Sequence, residues 1–222
     1  NLVDLDAAWQ LVQEFSHPSA AIIKHTNPCG CAEQKTPAEA FCKALECDPV
    51  SAFGSVLAFN CELDKATAKK ISQLFVEAIV APAYSEESIE MLTKKKGLRL
   101  LKIGSESEDL IVRSISGGFL AQSRDVLSWS DDQVQVVTKR SPSKEELASL
   151  VFSCKVVKHV KSNAIVYVRD GQTVGVGAGQ MSRVDAARIG AAKAILPLGG
   201  TVAGSDAFFP FADGVEEIAS HG

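Results

Sequence analysis

Two side chains that could take part in catalysis, Lys24 and His25, stand next to each other near the start of the chain. A lysine ammonium can stabilise a developing oxyanion, and a histidine can move a proton near neutral pH. The apolar run at 20–23 predicts a buried strand that ends at this pair, and residues 27–30 (Asn-Pro-Cys-Gly) predict a turn. Open α/β sheets bind ligands beyond the carboxyl ends of their strands, which favours a functional role for this pair. In the structural alternative, Lys24 reaches along apolar surface to water and His25 makes a core hydrogen bond.

Three further polar or aromatic features occur at predicted strand and loop ends: Asn163, Arg183 and the loop from Phe208 to Asp213. An asparagine can orient an amide, and an arginine can grip a phosphate or a carbonyl. Phenylalanines beside a carboxylate could enclose a flat heterocycle. Together these features predict group transfer to a small, flat, polar substrate. Taken singly, each feature also has a purely structural interpretation: Asn163 as part of a turn, Arg183 as a surface charge, and the phenylalanines as core residues.

The metal and dinucleotide patterns are incomplete. Cys29-Gly30-Cys31 beside His25 has a shorter gap than zinc sites use, and we expect no zinc and reduced thiols. In Gly175-x-Gly177-x-Gly179 the position after Gly179, where the dinucleotide fingerprint needs its third glycine, is a glutamine. These glycines therefore predict close backbone packing.

Composition limits the class of protein. The 222 residues are 46% hydrophobic and 23% charged, which is typical of a soluble globular chain. A net charge of −4 with scattered lysines predicts no nucleic-acid partner, and no apolar run predicts a membrane span. The first residues do not resemble a signal peptide, so we expect a cytoplasmic protein, with a plastid or other organelle as the alternative. Both ends of the sequence suggest a piece of a longer protein.

The apolar periodicity predicts an α/β fold. The first helix is predicted over 5–15 with Asp4 as its N-cap. Later N-caps are predicted at Thr36, Asp64, Ser85 and Ser143, and two final helices at 184–195 and from 215. Strands are predicted at 20–24, 55–59, 79–81, 98–103, 110–115, 119–122, 133–137, 164–168 and 173–178, the last two joined by an Asp170-Gly171 hairpin turn.

The chain also shows a weak internal repetition. Residues 20–53 and 163–211 follow one order: strand, glycine-containing turn, helix, and a glycine-rich loop with an aromatic residue. This order predicts a doubled domain.

Five motifs in this order resemble the family of bifunctional purine biosynthesis proteins, which couple phosphoribosylaminoimidazolecarboxamide (AICAR) formyltransferase to IMP cyclohydrolase. The motifs are 22–30, 48–54, 161–165, 175–183 and 205–213. The resemblance covers essentially the whole chain, but only the formyltransferase part of the family.

The resemblance implies two tandem cytidine-deaminase-like subdomains with layered helices on mixed sheets. Their bounds would be 1–125 and 143–222, the second truncated, with 126–142 as the connection. It implies formyl transfer from 10-formyltetrahydrofolate to the 5-amino group of AICAR, and a homodimer with active sites at the subunit interface. Matched position by position, it implies catalytic Lys24, His25 and Asn163; AICAR-binding Gly54, Glu77, Arg183 and Phe208; and folate-binding Val50, Val184, Pro210, Phe211 and Asp213.

Two departures from the family leave alternatives open. Members begin this domain with an Arg-Tyr-Gly-Glu-Asn-Pro segment and extend past Gly222 to a further arginine. Both parts serve the nucleotide site, so we expect residues 1–222 alone to fold but to turn over poorly or not at all. The alternatives are a catalytically incomplete nucleotide-binding or dimerisation fragment, and a zinc nucleoside deaminase. The deaminase pattern needs glutamate two positions after the histidine, where Asn27 stands, and Cys31 is wrongly spaced for it.

Overall fold

The computed structural model describes residues 1–104, 110–126 and 134–222. Within them the helices are α1 (Leu2–Val12), α2 (Pro37–Cys47), α3 (Lys65–Ile71), α4 (Glu86–Leu92), α5 (Lys144–Val157), α6 (Arg183–Lys193) and α7 (Asp213–Ser220). The strands are β1 (Ser19–Lys24), β2 (Asn27–Glu33), β3 (Ser55–Phe59), β4 (Val76–Ala81), β5 (Arg99–Lys102), β6 (Leu110–Ile115), β7 (Gly118–Ser123), β8 (Ile165–Arg169), β9 (Gln172–Gly177) and β10 (Val202–Ser205).

Eight of these strands form one mixed sheet in the order β10-β8-β9-β2-β1-β3-β4-β5, and β6 and β7 form a separate hairpin. The neighbours β3, β4 and β5 run parallel, and the other pairs are antiparallel. The sheet passes from the first half of the chain to the second through the pairing of β2 with β9, at Ala32 and Gln172. A mixed sheet flanked by helices confirms the predicted α/β class. The two-subdomain division stays a prediction.

Helices cover both faces of the sheet. On one face, α1 packs on β1, β3 and β4, and α5 packs on β8 and β10. On the other face, α2 packs on β1 and β2, and α6 packs on β8 and β9. The strand segments between them are apolar and almost fully buried, as in the all-buried β3, which is expected for a sheet covered on both sides. No helix in the described part of the chain is long and apolar enough to cross a membrane.

One end of the sheet collects most of the residues predicted to be functional. The strand registers show which strand ends lie together at this end of the sheet. The paired residues are Ile23 and Val56, Ser55 and Val76, Ala78 and Arg99, Ile165 and Gly177, and Ser205 and Ile165. We call it the upper end: the carboxyl ends of β1, β9 and β10 and the amino ends of β2, β3, β4, β5 and β8. The parallel strands thus present their amino ends here, so the rule for ligands at carboxyl ends of parallel strands does not describe this edge.

The predicted helix starts are confirmed with one exception. The side chains of Thr36, Asp64, Ser85 and Ser143 each accept a hydrogen bond from a backbone N–H of the first turn, and Ser143 forms a complete capping box with Glu146. The prediction for Asp4 is wrong, because α1 begins at Leu2 and Asp4 lies inside it.

The predicted turn at 27–30 is also wrong. The chain turns at His25 and Thr26, whose φ angles are 53° and 63°, and Asn27 begins β2. Pro28 is tolerated within the strand because the β1–β2 register shifts there, pairing Ile22 with Gly30 and Ile23 with Pro28. Of the predicted strand at 133–137, residue 133 lies outside the described residues, and 134–137 form no strand.

Candidate functional site

The β1–β2 turn holds Lys24 and His25 in a constrained backbone. His25 and Thr26 both adopt the left-handed conformation, which is uncommon for residues other than glycine and carries a conformational cost. The Asp4 carboxylate accepts a hydrogen bond from Thr26 N at 2.7 Å, and Asn27 Nδ2 donates to His25 O at 3.2 Å. The aspartate that fails as a helix cap therefore supports the turn.

Lys24 is tied to the loop before β3. Its Nζ donates to Phe53 O at 2.8 Å. The next residue, Gly54, has a φ of 72° and donates its N–H to Phe75 O at 2.8 Å. Lys24 is half-buried, whereas His25 is exposed. The structure thus brings predicted catalytic Lys24 beside predicted nucleotide-binding Gly54.

A cavity of about 180 Å³ lies beside the turn, and Lys24 and His25 line it together with Asp48, Ser51 and Lys193. Lys193 Nζ lies 2.8 Å from Asp48 Oδ2 and joins the end of α6 to the end of α2. Burial alone would raise the pKa of Asp48, but hydrogen bonds from Lys193 and Ser51 outweigh it and hold that pKa below its ordinary value. The cavity wall therefore carries an ionised pair beside the predicted catalytic residues.

Two cysteines also line this cavity, Cys29 and Cys47. Burial raises the pKa of each thiol to about 12, so both are neutral at physiological pH. Among the described residues, no group of three or more His, Cys, Asp or Glu side chains is arranged to hold a metal ion.

A second group of predicted residues lies at the same end of the sheet. Asn163 Nδ2 donates to Gln180 O at 2.9 Å. Arg183 Nε donates to Ser205 Oγ at 3.1 Å, and its Nη2 donates to Asp206 Oδ1 at 3.2 Å. Asn163 and Arg183 are therefore both held in place, and neither lines the cavity.

Asn27 connects the two groups. Its Oδ1 accepts a hydrogen bond from Lys161 N at 2.9 Å, and Lys161 O accepts one from Gly179 N at 2.6 Å. Ala178, which precedes that glycine, lines the cavity. The segment that carries Asn163 is thus attached to the turn that carries His25.

The remaining predicted residues lie apart from the cavity lining. Glu77 forms an ion pair with Arg99 at 3.2 Å at the upper end of the sheet. Val50, Phe208 and Phe211 are 84%, 79% and 73% exposed. Pro210 and Asp213 are also exposed, and Val184 is half-buried.

Sequence reasoning missed the pairing of Lys193 with Asp48. Lys193 ends α6 and has no local motif around it, so only the packing of both α2 and α6 on β9 reveals it. The prediction of close backbone packing is confirmed for Gly175 and Gly177 but is wrong for Gly179, where an added Cβ would meet only side-chain atoms of Lys161 at 3.7 Å or more and the backbone φ is 68°. A Cβ added to Gly177 would lie 1.8 Å from Ala186 O, and one added to Gly175 would lie 2.3 Å from Gly190 O.

Comparison with known proteins decides the family. A sequence model described as the AICARFT/IMPCHase bienzyme matches residues 1–193. This chain belongs to that family. Among curated relatives, the bifunctional purine biosynthesis proteins PurH of Roseobacter denitrificans, Ruegeria sp. and Bacillus mycoides are 51%, 50% and 47% identical to it. These alignments cover all of this chain but only 44–45% of each relative, so the chain spans less than half the length of the proteins it matches.

Membership of the AICARFT/IMPCHase family confirms the resemblance found in the sequence motifs. It gives no support to the zinc-deaminase alternative.

Proposed function

We propose that this chain forms the AICAR formyltransferase part of a bifunctional purine biosynthesis protein. In that role it transfers a formyl group from 10-formyltetrahydrofolate to the 5-amino group of AICAR. The observation that carries the proposal is the Lys24–His25 pair, held on a constrained turn and lining a cavity, in a chain of the AICARFT/IMPCHase family. The proposed compartment is the cytoplasm.

His25 suits the role of general base. The AICAR amine is a poor nucleophile, because its lone pair is delocalised toward the ring and the carboxamide, and it must lose a proton as it attacks. The imidazole is exposed, and among the described residues no hydrogen bond or ion pair holds its ring. It can therefore accept a proton from a substrate that enters the cavity.

Lys24 suits the stabilisation of the oxyanion. The formyl oxygen gains negative charge as the amine attacks, and a nearby ammonium lowers the energy of that state. An ammonium group has three N–H donors, and the contact with Phe53 O uses one of them. No other described residue accepts a hydrogen bond from Lys24 Nζ, so its remaining donors are available to the formyl oxygen, or to supply a proton to the folate nitrogen as the oxyanion collapses and the formyl C–N bond breaks.

Asn163 is proposed to work with His25, because the bridge through Asn27 connects their two segments. The other assignments rest on the family match. Gly54, Glu77, Arg183 and Phe208 are proposed to bind AICAR, and Val50, Val184, Pro210, Phe211 and Asp213 to bind the folate. The exposed rings of Phe208 and Phe211 are suited to stacking on flat rings, and exposed Val50 is suited to apolar contact with one.

A homodimer with active sites at the subunit interface is part of the proposal. Large apolar side chains exposed near the candidate site, such as Phe208 and Phe211, support it. The proposed subdomains are 1–125 and 143–222, connected by 126–142.

The test is formyl transfer by the complete parent protein carrying His25→Ala or Lys24→Met. We expect His25→Ala to lower kcat by about a hundredfold or more while AICAR binding, measured by calorimetry, changes far less. His17→Ala is the matched control, because His17 lies outside the cavity lining. An unchanged kcat for His25→Ala would remove His25 from the mechanism, and a change in KM alone for Lys24→Met would make Lys24 only a binding residue.

A further inference from the structure

Asp206, just beyond β10, places a largely buried carboxylate where three segments meet. Its side chain is 14% exposed. Oδ1 accepts hydrogen bonds from Ala164 N at 2.8 Å and from Arg183 Nη2 at 3.2 Å, and Oδ2 accepts a short hydrogen bond from Ser162 Oγ. One side chain thus joins the end of β10, the start of β8 and the first turn of α6.

Two of these donors lie on either side of Asn163. Ser162 and Ala164 are both bound to the same carboxylate, so the backbone around Asn163 is fixed from both directions. The Asn163 side chain is then directed to Gln180 O. Rotation of this short segment would require breaking hydrogen bonds to a charged group, which are stronger than those between neutral groups.

The third donor is Arg183, whose guanidinium is held at two points, by Ser205 Oγ and by Asp206. A guanidinium has five N–H donors, and these contacts leave several for an oxygen acceptor of a ligand. Burial alone would raise the pKa of Asp206, but hydrogen bonds from Ser162 and Ala164 and the charge of Arg183 hold it below its ordinary value. The carboxylate is therefore ionised at neutral pH, and its negative charge balances the positive charge of Arg183.

We propose that Asp206 is a positioning residue for formyl transfer: its carboxylate fixes the Asn163 segment and the Arg183 guanidinium relative to each other. The inference rests on the proposed function, because only there do Asn163 and Arg183 contact the substrate. Asp206 itself touches neither the formyl group nor the nucleotide. Its removal acts through the two residues that it holds.

The experiment is Asp206→Asn in the complete protein, with steady-state kinetics, AICAR binding by calorimetry and thermal unfolding. The substitution keeps the shape of the side chain and removes its charge. A purely structural role would reduce the folded fraction, which lowers the apparent kcat but leaves KM and Kd unchanged. Misplaced Arg183 and Asn163 would instead raise KM and Kd for AICAR by about tenfold and lower kcat per folded molecule by about tenfold or more.

Asp185→Asn is the matched control. Asp185 lies in the same first turn of α6, its side chain is 56% exposed, and it contacts Ser182 and Arg188 rather than Arg183. The substitution Asp185→Asn also removes one negative charge close to the start of α6, and we expect its KM and kcat to stay within about twofold of wild type. Ser162→Ala removes a single donor to Asp206 and is expected to change KM and kcat in the same direction as Asp206→Asn, but less.

The outcomes separate the inference from the function. A wild-type protein that transfers formyl groups, with KM and Kd unchanged in both Asp206→Asn and Ser162→Ala, overturns the inference alone. If Asp206→Asn does not fold, Ser162→Ala decides by the same criterion. A wild-type protein that neither binds AICAR nor transfers the formyl group overturns the proposed function and this inference with it.

Discussion

Gly177→Ala should destabilise the protein more than any surface substitution, because β9 and α6 touch through their backbones at this position. A Cβ at Gly177 would lie 1.8 Å from Ala186 O, 2.7 Å from Ala186 C and 3.0 Å from Gly190 N. All three atoms belong to the helix backbone, so no side chain can rotate out of the way. The added methyl group must therefore displace the helix from the sheet.

The size of the displacement follows from these distances. Real Cβ atoms essentially never approach another heavy atom to within 3.0 Å, so the 1.8 Å contact with Ala186 O requires a movement of more than an ångström. Forcing extra methyl groups into packed interiors costs about 1–3 kcal/mol of stability. Because both sides of this contact are backbone, we expect the cost of Gly177→Ala to be about 3 kcal/mol or more. For a chain of this size, a loss of about 3 kcal/mol lowers Tm by roughly 6–12 °C.

The assay is thermal and urea unfolding of Gly177→Ala beside wild type. Gly199→Ala is the control, since a Cβ there meets nothing within 4 Å and its backbone φ is not positive. We expect the control to stay within about 0.5 kcal/mol of wild type. A Gly177→Ala protein that unfolds within a degree or two of the control would refute the close packing of α6 on β9.

Two further predictions concern titratable groups. Burial alone would raise the pKa of Glu14, but hydrogen bonds and charges from His159 and Lys158 hold it below 4.5. The stability that these interactions contribute to the folded protein is present above pH 4.5, and it is lost as the pH falls through the lower pKa of Glu14 in the folded state. Glu14→Gln should therefore be less stable than wild type at pH 7 by about 1–2 kcal/mol, with the difference shrinking under acid, and a pH-independent difference in chemical unfolding would contradict this. Burial raises the pKa of Cys29 and Cys47 to about 12, so both thiols should resist iodoacetamide at pH 8 in the native protein but react after denaturation. Rapid native alkylation at either cysteine, detected by mass spectrometry, would contradict the raised thiol pKa.

Local signals predicted much of the fold. The caps at Asp64 and Ser143 are short-range hydrogen bonds that a few consecutive residues determine, and the structure contains both. The turn at His25 and Thr26 was not predictable in the same way, because a β-branched threonine disfavours the left-handed conformation and no Asn-Gly or Asp-Gly pair marks the turn. Contacts from elsewhere stabilise it, including that from Asp4.

The candidate site likewise combines features that the local sequence predicted with contacts that only the tertiary fold creates. The pair Lys24-His25 is adjacent in sequence and was recognisable from its residue types and its place after an apolar run. Lys193 and Asp48 meet only because α6 and α2 both pack on β9. Asp206 meets Ala164 and Arg183 only through the pairing of β10 with β8. Such contacts depend on strand order, which residue patterns alone do not determine.

The junction between β2 and β9 also has a consequence for folding kinetics. The β1–β2 and β8–β9 hairpins each close over a short local turn, whereas Cys31 and Thr173, which exchange hydrogen bonds across the junction, are 142 residues apart. Because the entropy cost of closing a loop grows with its length, we expect both hairpins to form before they join. His25 lies on one hairpin and Asn163 beside the other, so the candidate site would assemble only in this late step. Substitutions at the junction, such as Thr173→Val, would then slow the recovery of activity more than the formation of local strand structure.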